Sequence, residues 1–102
     1  MITEDYVSFE TAKLLKEKGF DEKVISFYPP GDIPRPTLQM AMKWLRKTHN
    51  FHIWVEPNHD KEGLYNAHVK VGWWSNNWAG VGYNTHEKAC EEAILYCLKN
   101  LI

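Results

Sequence analysis

The chain has 102 residues, 44% of them hydrophobic and 25% charged, which is the length and composition of one globular domain and not of a disordered segment. Lys plus Arg number 12 against 13 Asp plus Glu, a net charge of −1, so the basic excess from which polyanion binders draw most of their non-specific affinity is missing. No apolar run approaches the roughly 18 residues of a membrane-spanning helix, while five Trp, five Tyr and four Phe are more aromatics than a core this small easily hides.

The first element read from the N-terminus is a short helix. Ser8 is its N-cap, Phe9, Ala12 and Leu15 form its apolar stripe, and Gly19 with Phe20 forms its stop. Residues 24–28 read as a short strand. Pro29, Pro30, Pro34 and Pro36 then remove donors and fix φ, so residues 29–36 are expected to be an irregular connection. A second helix starts at Thr37. Leu38, Ala41, Met42 and Leu45 follow the i, i+3, i+4, i+7 spacing of one buried face, with Lys43, Arg46 and Lys47 on the other side.

The period changes to two after His49-Asn50. Phe51, Ile53 and Val55 share one face, and His52, Trp54 and Glu56 the other. In residues 64–73, Tyr65, Ala67, Val69 and Val71 alternate with Leu64, Asn66, His68 and Lys70. In residues 78–83, Ala79, Val81 and Tyr83 are expected inward, with Trp78, Gly80 and Gly82 outward. Residues 57–63 and 75–77 read as the joints of an antiparallel meander with one dry face. The last segment, capped at Asn84 or Thr85, is a helix to Ile102. Its stripe of Ala89, Cys90, Ala93, Ile94, Cys97, Leu98 and Leu101 covers that dry face. Cys90 and Cys97 would stand roughly 10 Å apart along it at about 1.5 Å per residue, beyond disulfide reach. They read as free core thiols.

The expected architecture is α+β: residues 37–102 form a helix–three-stranded antiparallel sheet–helix core, and residues 1–36 add an N-terminal helix and a Pro-rich connection, all in a single domain. From Thr37 onward this order resembles the double-stranded-RNA-binding domain. Pro57 and His59 stand where that family has its Gly-Pro-x-His loop, with Glu56 in place of the glycine. Gly80, Gly82, Ala89 and Ala93 match the entry to its last helix. The resemblance implies that fold. It does not bring the RNA chemistry, because His86, Glu87 and Cys90 occupy the positions of the family's lysine cluster and only Lys88 remains nearby. The whole chain also resembles small accessory proteins of prophages and mobile elements of gut bacteria, through residues 6–21, residues 42–46 with His49, and residues 89–93. That likeness implies an accessory role and no activity.

The outer sheet face is the leading candidate for function. With a symmetric seven-residue loop over 57–63, paired residue numbers sum to 120, so His52 opposes His68 and Trp54 opposes Asn66. Two imidazoles alone fall short of the three or four ligands of a zinc site, and no metal or cofactor is assigned. His52, Trp54, His68, Lys70, Trp74 and Trp78 form the candidate partner surface, unless the N-terminal helix folds over it and makes the tryptophans core. Glu56, Asp60 and Glu62 around His59 read as a solvated hairpin tip and not as an acid–base set.

Three classes of function follow. The leading one is a non-catalytic accessory protein, monomeric or weakly dimeric, that binds another protein through the aromatic face or the N-terminal helix. The alternative is an RNA binder using Lys43, Arg46, Lys47 and His59, although double-stranded RNA is not expected to bind. A small metal-dependent enzyme is the remainder. The acidic start lacks the basic and apolar regions of a signal peptide, and free thiols suit a reducing compartment. The expected location is the cytoplasm.

Overall fold

Each of the three α-helices among the described residues starts where a hydroxyl takes up an otherwise orphaned amide. The structure, a computed structural model, describes residues 5–73 and 75–102, with the side chains of residues 75–77 excepted. Ser8 accepts from the Thr11 amide at the head of α1 (Phe9–Glu17). Thr37 accepts from Met40 for α2 (Leu38–His49), and Thr85 from Lys88 for α3 (His86–Tyr96). Helix α1 stops at Gly19, whose φ of 97° is left-handed, and the Phe20 amide donates to the Leu15 carbonyl at 2.9 Å. That turn drops Phe20 edge-on against Trp44, ring centroids 5.6 Å apart. Trp44 is thus a buried member of the α2 face, beside the expected Leu38, Ala41, Met42 and Leu45.

Residues 29–36 are more regular than their prolines suggest. Phe27–Tyr28 (β1) pairs with Ile33–Pro34 (β2) in a small antiparallel hairpin. A proline is tolerated there because neither strand has a further neighbour to receive its missing N–H. Arg35 locks the hairpin. Its Nε donates to Ser26 Oγ at 2.7 Å, and its guanidinium lies 4.4 Å from the Tyr6 ring centre and 5.4 Å from that of Tyr28.

The main sheet has strand order β3 (Phe51–Pro57), β4 (Tyr65–Val71), β5 (Ser75–Tyr83), all antiparallel. Asn50, at φ 60°, ends α2 and passes the chain directly into β3. Its carbonyl accepts the Gly72 amide at 2.9 Å, which ties the β4–β5 turn to the same point. The β3 and β4 faces are as expected: Phe51, Ala67 and Val69 are buried, whereas His52, Trp54, His68 and Lys70 lie opposite.

Strand β5 corrects the expectation. It begins at Ser75, so residues 75–77 are strand and not joint, and the turn lies before them. Trp78 pairs with Val69 and Gly80 with Ala67, both on the inner face, while Val81 is 70% exposed and Ala79 is exposed. An extra residue between Gly80 and Tyr83, where Gly82 has φ 80°, returns Tyr83 to the inner side opposite Tyr65. Counting by twos back from Tyr83 therefore inverts residues 78–81. Trp78 stacks on Tyr96 of α3 at 4.9 Å and 16°. A Cβ on Gly80 would stand 2.6 Å from that indole, so the glycine is what lets Trp78 lie flat there.

Helix α3 crosses all three strands, α2 lies over β3, and the two helices touch. After Tyr96 the backbone widens into a single π-helical turn, Cys97–Leu101, which keeps Cys97 and Leu98 fully buried. The expected stripe is buried from Ala89 to Leu98, with Leu101 only partly buried, and one cluster unites it with Leu45, Val69, Ala12, Leu15 and Val7. Helix α1 joins this layer, meeting α3 and β2, and leaves the outer face of the sheet uncovered.

Its anchor is Glu91 of α3. Oε1 accepts the Ser8 amide at 2.9 Å and the hydroxyl of the fully buried Thr11 at 2.6 Å. Removing the carboxylate leaves a buried hydroxyl without its acceptor, a loss of about 1–3 kcal/mol. Glu91→Ala is expected to lower the unfolding free energy from denaturant titration by that amount and to speed amide exchange in α1 more than in β3 and β4. Uniform acceleration across the sheet would contradict this local role.

Candidate partner-binding face

Alternation in β3 and β4 puts three polar or aromatic residues of each strand on the uncovered face, and the register decides which of them meet. Paired numbers sum to 122 and not 120: Trp54 opposes His68, His52 opposes Lys70 and Glu56 opposes Asn66. The shift of two residues keeps every side chain on its expected face but separates His52 from His68. Its cause is the loop. Pro57 still belongs to β3, paired with Tyr65, and Asn58 organises the turn by accepting the Asp60 amide at 2.8 Å and that of Lys61 at 3.0 Å.

The centre of the face is a stack. Trp54 and His68 lie nearly parallel, 13° apart with centroids at 4.9 Å. Glu56 Oε1 stands 2.7 Å from His68 Nε2, bracing the imidazole from the diagonal position. The Trp54 residue remains 42% exposed. Trp54 also lines a groove with Gln39, Met42, Ile53, Val55, His86 and Cys90. At the other end of the face, His52 Nε2 lies 3.0 Å from Asn50 Oδ1, and its ring tilts against Trp73 at 5.5 Å. Trp73 is 73% exposed. Across the sheet the surface continues through Ala79, the partner of His68, and through Val81.

Of the six residues expected on this surface, the structure brings together His52, Trp54, His68 and Lys70. Trp78 is on the opposite face, against Tyr96, and Trp74 lies outside the described residues. Glu56, Trp73 and Val81 join the surface. Glu56 could have been found from its parity with Trp54, but Val81 is hidden in the sequence by the β5 irregularity. The alternative set divides. Lys43, Arg46 and Lys47 are exposed between the middle and the C-terminal end of α2, whereas His59 is exposed in the loop beyond the opposite end of β3. The one lysine near the head of α3, Lys88, pairs with Glu92 at 2.8 Å, and that contact holds its pKa up.

Among the described residues no group of three or more His, Cys, Asp or Glu side chains could hold a metal ion, and no helix is long and apolar enough to cross a membrane. No family model, curated protein or solved structure matches the chain.

The thiols are buried and free. Burial, reinforced by Glu87 and Glu91, pushes Cys90 up to about 11. Burial, opposed by a backbone hydrogen bond, pushes Cys97 up to about 12. A thiolate is the reactive form, so burial and the raised pKa both disfavour reaction of these thiols in the fold. Because the folded pKa values exceed the ordinary 9.0, the unfolded chain loses these protons first as pH rises. The resulting stability is intact below pH 9.0 and declines as pH climbs through 9.0 toward the folded values. Denaturant midpoints measured across that range should fall in the wild type and fall less in the Cys90→Ala/Cys97→Ala variant. Equal slopes would show that the thiols are accessible in the folded state.

Proposed function

We propose that this protein is a non-catalytic binding module that recognises another protein through the outer face of β3, β4 and β5. The observation that carries the reading is the exposed, braced indole of Trp54 on a sheet face that no helix covers among the described residues. An aromatic already held in place by His68 and Glu56 loses little freedom on binding, which favours it as an anchor. Trp73 and Val81 extend the apolar area around it, and the free side of α1 is the secondary candidate, with Phe9 47% exposed.

The test is selection of displayed peptides on the wild-type protein, followed by measurement of each clone on variants. Binding should weaken at least about 10-fold on Trp54→Ala, as for an interface hot spot, and be unaffected by Lys43→Glu. Clones insensitive to Trp54→Ala but lost on α2 or α1 variants would overturn the assignment.

The finer fold reading is the double-stranded-RNA-binding arrangement over α2, β3–β5 and α3, supported by their order and by both helices lying on one face of the sheet. The duplex chemistry is proposed to be lost. Glu87, Glu91 and the Lys88–Glu92 pair stand at or near the head of α3, where a phosphate ridge needs unpaired cations. Titration of a duplex longer than the about 16 base pairs such domains cover should show no binding at physiological salt. Micromolar binding that Arg46→Glu abolishes would restore the RNA reading.

A further inference from the structure

The outer face is polar along its strands. Its middle row is Trp54, His68 and Ala79, successive ladder partners across β3, β4 and β5. Two residues toward the β3–β4 loop is Glu56, beside Asn66. Two residues the other way are His52 and Lys70, a directly opposed pair. An acidic end and a basic end thus flank an aromatic centre, about 13 Å apart at roughly 3.3 Å per residue. Neither end is fully consumed within the chain. Glu56 touches His68 through Oε1 with 41% of its side chain exposed. Among the described residues no carboxylate lies within ion-pair distance of Lys70.

We propose that the occupant of this face is a second copy of the chain, packed sheet to sheet about a twofold axis that runs across the strands along the Trp54–His68–Ala79 row. The proposal rests on reading the outer face as the binding surface, and it names the partner. Rotation about that axis keeps each residue's place across the sheet and reverses its place along the strands. Strand β3 of one copy therefore lies over β3 of the other, and the two Trp54–His68 stacks meet at the centre. Each Glu56 end lies over the other copy's His52–Lys70 end, and the contact occurs twice. A twofold axis parallel to the strands would instead put acid over acid and base over base, which is unfavourable. The crossing axis also closes the assembly, because both copies use the same patch and no further copy can add to it. A net charge of −1 per chain leaves little long-range repulsion to oppose the encounter.

The experiment is sedimentation equilibrium of the full chain up to about 1 mM, the dissociation constant of a weak complex, on three charge variants and their mixtures. Glu56→Lys makes both ends basic and Lys70→Glu makes both acidic. Each should self-associate at least about tenfold more weakly than the wild type, and an equimolar mixture of the two should recover association as a heterodimer. Far-UV circular dichroism and thermal unfolding confirm that each variant is folded. A chain carrying both substitutions should also self-associate, since its polarity is merely reversed. A monomeric wild type at the highest concentration, or a mixture that fails to recover, overturns the second-copy proposal. If that wild type still yields peptides that lose binding on Trp54→Ala, the outer-face reading stands by itself. A wild-type dimer that neither Trp54→Ala nor the charge variants weaken forms through another face and overturns the second-copy proposal, leaving the outer-face reading to the peptide test.

Discussion

The carboxylate of Glu91 ties the N-terminal helix to the helical side of the sheet. The head of a helix carries unsatisfied amides and a partial positive charge, and Glu91 Oε1 meets the head of α1 through the Ser8 amide and the buried Thr11 hydroxyl. The segment before α1 is zipped to the segment before α2. The Val7 amide donates to Pro36 at 3.0 Å, the Leu38 amide to Asp5 at 2.9 Å, and the Tyr28 hydroxyl to the Val7 carbonyl. Val7, Ala12 and Leu15 then complete the core from the helical side. Had α1 lain on the other face, Trp54 and His68 would be interior residues. Everything said of the outer face follows from this placement.

Much of the fold was legible because its signals are local. Ser8, Thr37 and Thr85 cap the helices as their residue type requires, and the apolar spacings of α2 and α3 pick out the buried residues. Parity alone sorted β3 and β4 correctly. What parity cannot supply is register, because a slip of two preserves every face while exchanging every partner. The turn chemistry at Asn58 fixed that slip, and it replaced an imagined His52–His68 pair with the Trp54–His68 stack. Trp78 was misplaced for a related reason. An irregularity hides in Gly80-Val81-Gly82, and a sequence does not say which glycine supplies left-handed φ and which makes room for a neighbouring ring. Here Gly82 does the first and Gly80 the second.

The contact between α1 and α3 was harder to foresee. Glu91 sits in an acidic run that reads as a solvated helix start, and its partners are 80 and 83 residues away in the chain. Thr11 gives no signal either, being one hydroxyl between Glu10 and Ala12. Trp44 is similar. It lies among Lys43, Arg46 and Lys47, yet Phe20, delivered by the α1 stop, and His49 make its pocket.

The two faces of the sheet also explain where the surplus aromatics go. The inner face is floored by Ala67, Val69 and Gly80 and roofed by Ala89, Ala93 and Ile94, so the space they leave is filled by Trp78, Tyr83 and Tyr96. Adding Trp54 or Trp73 to that layer would require methylene volume to be removed elsewhere, because close-packed interiors do not stretch. An uncovered sheet face can be kept wet by charges and threonines, which is the usual outcome for an antiparallel sheet with one dry side. This face instead carries Trp54, Trp73, Ala79 and Val81, with Glu56 spent partly on orienting His68 and not on solvation alone. Apolar area placed where the fold does not use it, beside the Glu56–His68 contact, is the feature on which the proposed binding surface rests.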